Sequence, residues 1–126
     1  MIYTKELVKH FKNPKFVKDL KNPDAIGKVG NIRCGDVMEL RIKVEKNKIK
    51  DIGFKTFGCA AAIATSDVVC ELAKGKTLTQ AGKLNKKDII KKLGGMPPIK
   101  VHCSVLGIQA LRKAIKNYKE KQSKTK

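Results

Sequence analysis

Three of the four cysteines lie in local contexts that suit a soft metal ion or a metal-sulfur cluster. Cys34 stands two residues before Asp36. Cys59 opens an alanine-rich run, and Cys103 directly follows His102. Three thiolates with a neighbouring carboxylate or imidazole suit either an iron-sulfur cluster or a zinc ion, and ligand softness alone does not choose between these two.

The spacing of the cysteines excludes the common small zinc modules. No two cysteines form the C-x-x-C pair on which zinc fingers and zinc ribbons are built. A buried free cysteine also serves as a small apolar core residue, and this alternative stays open for any one of the three taken singly. The ligand interpretation is favoured because Cys34 and Cys103 each have a second potential ligand close by in the sequence.

The motifs around these cysteines carry a family resemblance. They occupy, in chain order, residues 34–38, 57–66, 96–100 and 102–104. Together they resemble the iron-sulfur cluster assembly scaffolds of the IscU type, a class that includes the N-terminal domain of NifU. The resemblance extends from Tyr3 to about Tyr118, and the motifs occur in the order that the family uses.

The resemblance implies an assembly scaffold and carrier, and not an enzyme. Such a scaffold receives sulfur as persulfide from a cysteine desulfurase, binds iron, assembles a labile 2Fe-2S cluster and transfers it to acceptor apo-proteins, with an electron donor such as ferredoxin. Carried over residue by residue, Cys34, Cys59 and Cys103 are the principal ligands and the persulfide-acceptor candidates. Asp36 and His102 are then candidate fourth ligands. Zinc can occupy the same site, and a homodimer that shares the cluster is compatible with this arrangement.

A second alternative follows from the same ligand set. In the related SufU branch, zinc holds these ligands and sulfur moves through a cysteine. That branch carries an inserted segment between its second and third cysteines. Here the interval between Cys59 and Cys103 is filled by the expected helices and a Pro-Pro segment, which favours the cluster scaffold over the zinc-dependent sulfur-transfer protein.

The Pro-Pro segment has two interpretations of its own. It runs from Met96 through two prolines to Lys100, and prolines force such a stretch into an extended conformation. It resembles the Leu-Pro-Pro-Val-Lys motif that a dedicated Hsp70-type chaperone binds in bacterial family members, but Met96 and Ile99 replace the leucine and valine. The alternative is a linker that delivers His102 and Cys103 to the metal site.

The net charge of +18 raises a nucleic-acid-binding alternative, because basic surfaces release counterions from phosphates. Nearly all of this charge comes from lysine, aromatic residues make up 5% of the chain, and tryptophan is absent. Bidentate phosphate recognition and base stacking favour arginine and aromatic side chains. A basic nucleic-acid-binding module is therefore the weakest interpretation, and a solvated lysine-rich surface that steers acidic protein partners is the stronger one.

The chain start carries no apolar signal segment, and the longest apolar run is far shorter than a membrane span. We therefore expect a cytoplasmic protein without membrane association. A reducing cytosol keeps cysteines as thiols that are available for metal and sulfur chemistry. With 126 residues, the chain has the length of one domain, which we place at residues 1–126 with a frayed basic tail from about residue 119.

The elements that must position the cysteines can be predicted from periodicity. From residue 37 onward, Met38, Leu40 and Ile42 alternate with charged residues, which indicates a half-buried strand. Further strands are predicted at residues 27–33 and 49–57, with a turn at residues 46–48. Helices are predicted to follow Cys59 and Cys103, whose thiolates the positive helix ends would favour. The fold class is α+β, a small and mainly antiparallel sheet of about three strands packed against helices, with a long C-terminal helix.

The remaining segments predict supporting helices. Thr4 is expected to cap a helix whose apolar face is Leu7, Val8 and Phe11, and His10 on this helix receives no role. Shorter helices are predicted at residues 77–84 and 85–93, the second of them capped by Asn85. Cys70 lies about three helical turns, roughly 16 Å, after Cys59, so core packing is its predicted role.

Overall fold

The computed structural model of the chain describes residues 4–18, 20–31, 36–57, 60–95 and 101–124. At residues 31, 36, 57, 60, 61, 101–104 and 122–124, the backbone alone is described. In this part of the chain the elements are, in order, α1 (Lys5–Lys12), β1 (Ala25–Asn31), β2 (Asp36–Glu45), β3 (Lys48–Phe57), α2 (Ala60–Ala73), α3 (Leu78–Gly82), α4 (Lys86–Lys92) and α5 (Val101–Lys124).

The strands form one antiparallel sheet in the order β1-β2-β3. Along β2, the side chains of Met38, Leu40 and Ile42 are buried, whereas the side chains between them are partly exposed. The alternation predicted from the sequence is therefore confirmed. Both residues of the β2-β3 turn have positive φ, 53° at Lys46 and 64° at Asn47, as in the type I′ turns that suit two-residue hairpins.

Strand β1 differs from its prediction at its start. It begins at Ala25 rather than at Gly27, because the backbone of Ala25 still pairs with Ile42 of β2. Helix α5 crosses this strand at Gly27, where an added Cβ atom would lie 2.1 Å from the backbone oxygen of Ala110 and 2.5 Å from the backbone nitrogen of Ala114. The absence of a side chain at Gly27 allows α5 to approach the sheet closely.

Helices α2 and α5 cover the same face of the sheet and close the hydrophobic core. The buried side chains that join the sheet to these helices include Leu40, Ile52, Phe54, Val68, Val69, Ile108 and Leu111. Burying such side chains contributes roughly 1.5–3 kcal/mol each. The predicted α+β fold with a long C-terminal helix is confirmed.

The short helices are set by their capping residues. The Thr4 hydroxyl accepts from the backbone N–H of Leu7, and Asn85 and Asp88 form a reciprocal capping box at the start of α4. Thr77 and Gln80 form a second box at α3. These bonds satisfy backbone donors that a helix start leaves without partners. The predicted caps Thr4 and Asn85 are confirmed.

The predicted apolar face of α1 is partly wrong. Leu7 is buried as expected, but Phe11 is 40% exposed and Val8 is only partly buried. His10 lies on the buried side of α1 instead, because its ring nitrogen Nδ1 forms a hydrogen bond with the carboxylate of Asp67. A buried polar side chain is tolerated where a hydrogen bond replaces its lost hydration.

Helix α5 continues to Lys124. The fraying predicted from about residue 119 stays a prediction. Lysine, glutamate and glutamine, which dominate this stretch, have high intrinsic helix propensity. Among the residues that the structure describes, no helix is long and apolar enough to cross a membrane.

Candidate metal centre

The antiparallel pairing of the strands brings the end of β1, the start of β2 and the end of β3 to one end of the sheet. Asn31 at the end of β1 pairs with Asp36 at the start of β2. On the other side of β2, Val37 pairs with Phe57, the last residue of β3. Asn31, Asp36 and Phe57 therefore lie at the same end of the sheet.

Side-chain contacts fix the direction of α5 relative to this end. The Asn117 side-chain amide donates to the Ile26 carbonyl at 2.7 Å, and the Lys113 ammonium donates to the Lys28 carbonyl at 3.0 Å. As β1 proceeds, its partners on α5 come from earlier helix positions, so the two elements run antiparallel. The N-terminal end of α5 thus lies towards the end of β1 at which the strands are joined.

A close contact nearer the start of α5 gives the same placement. At Gly107, an added Cβ atom would lie 2.9 Å from a Val69 methyl carbon and 3.7 Å from the Met38 sulfur. Met38 is two residues into β2 from Asp36, and Gly107 is about one helical turn after Cys103. The starts of β2 and α5 therefore approach one another.

The structure describes some of the predicted site residues only in part and others not at all. Asp36 is the first residue of β2, and His102 and Cys103 are the second and third residues of α5. Their side chains are outside the described part of the structure, and Cys34 and Cys59 lie outside the described residues altogether. The chaperone-like segment 96–100 also lies outside them. Helix α2 begins at Ala60, the residue after Cys59.

Cys70 lies in the core, as predicted. Its side chain is fully buried on α2, and it is a free thiol. Burial raises the pKa of the Cys70 thiol well above its ordinary value, and the nearby Asp67 carboxylate raises it further. A buried thiol of this kind is a poor nucleophile and a poor ligand at neutral pH.

A polar cluster that was not predicted from the sequence joins α1 to α2. One oxygen of Asp67 accepts from the backbone N–H groups of Lys15 and Phe16 at 2.8 and 3.0 Å, and the other lies 2.6 Å from His10 Nδ1. Asp67 is 1% exposed. Its position in the most apolar helix of the chain was the available signal, because an aspartate is rarely buried there without partners.

Comparisons with known proteins agree on one family. The NifU-like N terminal domain matches residues 2–125. The chain is 48% identical over 123 residues to the iron-sulfur cluster assembly scaffold protein IscU 1 of Archaeoglobus fulgidus, covering 98% of this chain and 80% of that protein. It is 44% identical over 126 residues to the scaffold protein IscU of Haemophilus influenzae, covering 97% of this chain and 99% of that protein.

A solved structure has the same fold. The N-terminal part of a nitrogen-fixing NifU-like protein from Brucella abortus superposes with a TM-score of 0.74 at 20% identity, covering 93% of this chain and 94% of that one. At this level of identity the likeness concerns the fold alone.

Proposed function

The chain belongs to the NifU-like N-terminal domain family, and we propose that it is a scaffold on which iron-sulfur clusters are assembled and from which they are passed on. The observation that carries this proposal is the similarity, over nearly the whole chain, to relatives that are named as cluster assembly scaffold proteins. The role is that of a carrier and not of a catalyst. We assign it to one domain that comprises residues 1–126.

The ligands of the cluster are Cys34, Cys59 and Cys103, with Asp36 or His102 as the fourth. The convergence of strand and helix ends described above supports this set, because it brings the flanking backbone of all these residues to one end of the sheet. Neighbouring residues on a helix diverge by about 100°, so His102 and Cys103 would approach a two-iron centre from different sides. Zinc fits the same donors.

Sulfur would arrive by thiol exchange. A thiolate of Cys34, Cys59 or Cys103 attacks the outer sulfur of a persulfide on a cysteine desulfurase, and the desulfurase thiolate leaves. Reduction of the transferred sulfur to sulfide takes two electrons, for which a ferredoxin is a suitable donor. Because α2 and α5 begin beside Cys59 and Cys103, their positive ends would stabilise the attacking thiolates.

The remaining partners follow from the same proposal. A 2Fe-2S cluster would be handed to acceptor apo-proteins in the cytoplasm, and a second copy of the chain could share the cluster as a homodimer. Segment 96–100 would serve an Hsp70-type chaperone or act as a linker. The charge of +18 would steer acidic protein partners towards the scaffold.

Anaerobic reconstitution tests the proposal directly. The protein is incubated with ferrous iron, a cysteine desulfurase, cysteine and a reduced ferredoxin as electron donor, and iron and acid-labile sulfide are then measured per chain. We expect equal amounts of iron and sulfide with the absorption of a 2Fe-2S centre, because three thiolates bind a cluster strongly. Zinc without sulfide after this treatment would instead favour the zinc-dependent sulfur-transfer protein.

Replacing Asp36 by alanine should slow the release of the cluster without preventing its assembly. A hard carboxylate beside soft thiolates is a weak and exchangeable ligand, and its negative charge adds to that of the thiolates and sulfides. The measurement is the rate of cluster transfer to an apo-ferredoxin at equal cluster loading. Glu45→Ala, at the other end of β2, is the matched control. Transfer at the wild-type rate or faster would remove Asp36 from the mechanism.

A further inference from the structure

A polar cavity of about 400 Å³ lies between α1, α2 and the end of α4. Its walls include Glu6, Lys9 and His10 of α1, Asp67 and Glu71 of α2, Lys92 of α4, and Lys15 from the segment after α1, so that acidic and basic side chains both line it. Asp67 is seven positions into α2, roughly 10 Å along the helix from the end that follows Cys59. The cavity is thus separate from the proposed cluster site.

Asp67 holds the His10 ring in one orientation and one tautomer. Its first oxygen is occupied by two backbone N–H donors, and its second oxygen lies 2.6 Å from His10 Nδ1. Since a carboxylate only accepts, the Nδ1 position carries the proton. In the neutral ring, Nε2 then carries a lone pair. A histidine that donates from one nitrogen to a carboxylate is the usual arrangement behind a metal-binding imidazole.

The second ring nitrogen faces another carboxylate. His10 Nε2 lies 3.6 Å from Glu71 Oε2, while the histidine side chain is only 10% exposed. This separation is too long for a hydrogen bond. When the imidazole ring is neutral, Nε2 and the carboxylate oxygen are both acceptors, so neither can donate to the other. If an ion lay about 2.1 Å from each of these two atoms, its bonds to them would enclose an angle of roughly 118°. This angle is within the range that divalent transition metals adopt.

Glu6 offers a further oxygen ligand. It lies one helical turn before His10 on the same face of α1 and lines the same cavity. In the described part of the chain, no three acidic, histidine or cysteine side chains already stand close enough to hold an ion together. An ion would therefore be held by His10 and Glu71, with water or a rotated Glu6 completing its coordination, and it would exchange readily.

We propose that His10 and Glu71 form a second, weakly binding site for a divalent first-row transition metal ion, oriented by Asp67. Imidazole combined with carboxylate favours ions such as Fe²⁺, Co²⁺ and Zn²⁺ over Mg²⁺ and Ca²⁺. In a cluster scaffold this ion would be ferrous iron held before assembly. That identification rests on the proposed function, whereas the site itself does not.

The positive charge of Lys92 would weaken cation binding in the cavity, so its removal has an effect of predictable direction on the affinity. Its ammonium lies 3.9 Å from Glu71 Oε1, the oxygen that does not face His10, and repels a cation in the cavity. Removing this charge by Lys92→Ala should therefore tighten metal binding. A role of His10 limited to structure would leave metal binding unaffected by this change.

The test uses the untagged full chain with Cys34, Cys59 and Cys103 replaced by serine, which removes the thiolate ligands of the proposed cluster site. Asp36 and His102 stay in every variant, so any ion that they hold is common to all of them. Titration with Co²⁺, followed by calorimetry and visible absorption, should give one equivalent of weakly bound ion. Glu71→Gln should weaken binding about 10-fold or more, Asp67→Asn about 10–100-fold, and Lys92→Ala should strengthen it. Glu120→Gln on α5, which removes the same charge from an exposed position, should change little.

Two results would overturn the site. One is the absence of stoichiometric Co²⁺ binding to the folded triple-serine protein, which would leave a protonated imidazole as the bridge between the two carboxylates. The other is binding that Glu71→Gln leaves unchanged. If the triple-serine protein fails to fold, Mn²⁺ broadening of the His10 ring signals replaces the titration, in the wild-type chain loaded with a single equivalent of zinc to fill the cysteine site. Cluster reconstitution is measured separately on the Glu71→Gln variant. A negative result for the cavity site therefore leaves the scaffold proposal standing.

Discussion

Replacing Cys34, Cys59 or Cys103 singly by alanine is expected to abolish the stable cluster under anaerobic reconstitution. Each change removes one soft anionic ligand from a site with only Asp36 and His102 in reserve, and neither of these matches a thiolate for iron bound to sulfide. The measurement is iron and acid-labile sulfide per chain, together with the visible circular dichroism of the cluster.

Cys70→Ala is the matched control, because it removes a thiol from the same helix that begins beside Cys59. Cys70 is fully buried in the core, so this variant should assemble the cluster at the wild-type level and lose only about 1 kcal/mol of stability. A cluster that survives loss of Cys59 but disappears with Cys70 would show that the ligand assignment is wrong. Thermal unfolding of all four variants separates loss of a ligand from loss of the fold.

Gly27→Ala is expected to destabilise the protein strongly. The new Cβ atom would lie 2.1 Å from the Ala110 carbonyl oxygen and 2.5 Å from the Ala114 nitrogen. Both are backbone atoms of α5, so the helix itself has to move away from β1. Overpacking of this kind costs about 1–3 kcal/mol and can cost more, and we expect the upper end here. Urea unfolding gives the value.

Gly82→Ala provides the control for the glycine substitution. Gly82 is the last residue of α3, and an added Cβ atom there meets nothing within 4 Å. Its stability should stay the same or rise by up to about 1 kcal/mol, because alanine restricts the unfolded chain more than glycine does. Equal stability of the two variants would mean that α5 does not cross β1 at Gly27. A shift of α5 should also impair cluster assembly through Cys103.

The local elements of this protein were predictable because their signals lie within a few residues of one another. The alternation along Met38, Leu40 and Ile42 identified β2, and Thr4 and Asn85 identified helix starts. The core position of Cys70 followed from its helical distance to Cys59. The motifs around the cysteines also identified the family, since they keep their order along the chain.

Tertiary structure decided the features that depend on residues far apart in the sequence. Nothing local to His10 predicts its burial, because its partner Asp67 lies 57 residues further along the chain. The run of α5 against β1 depends on Gly27 meeting the backbone of Ala110 and Ala114. Periodicity reports which face of an element is apolar but not which element covers it, because that choice is made by close packing between surfaces that meet only in the folded chain.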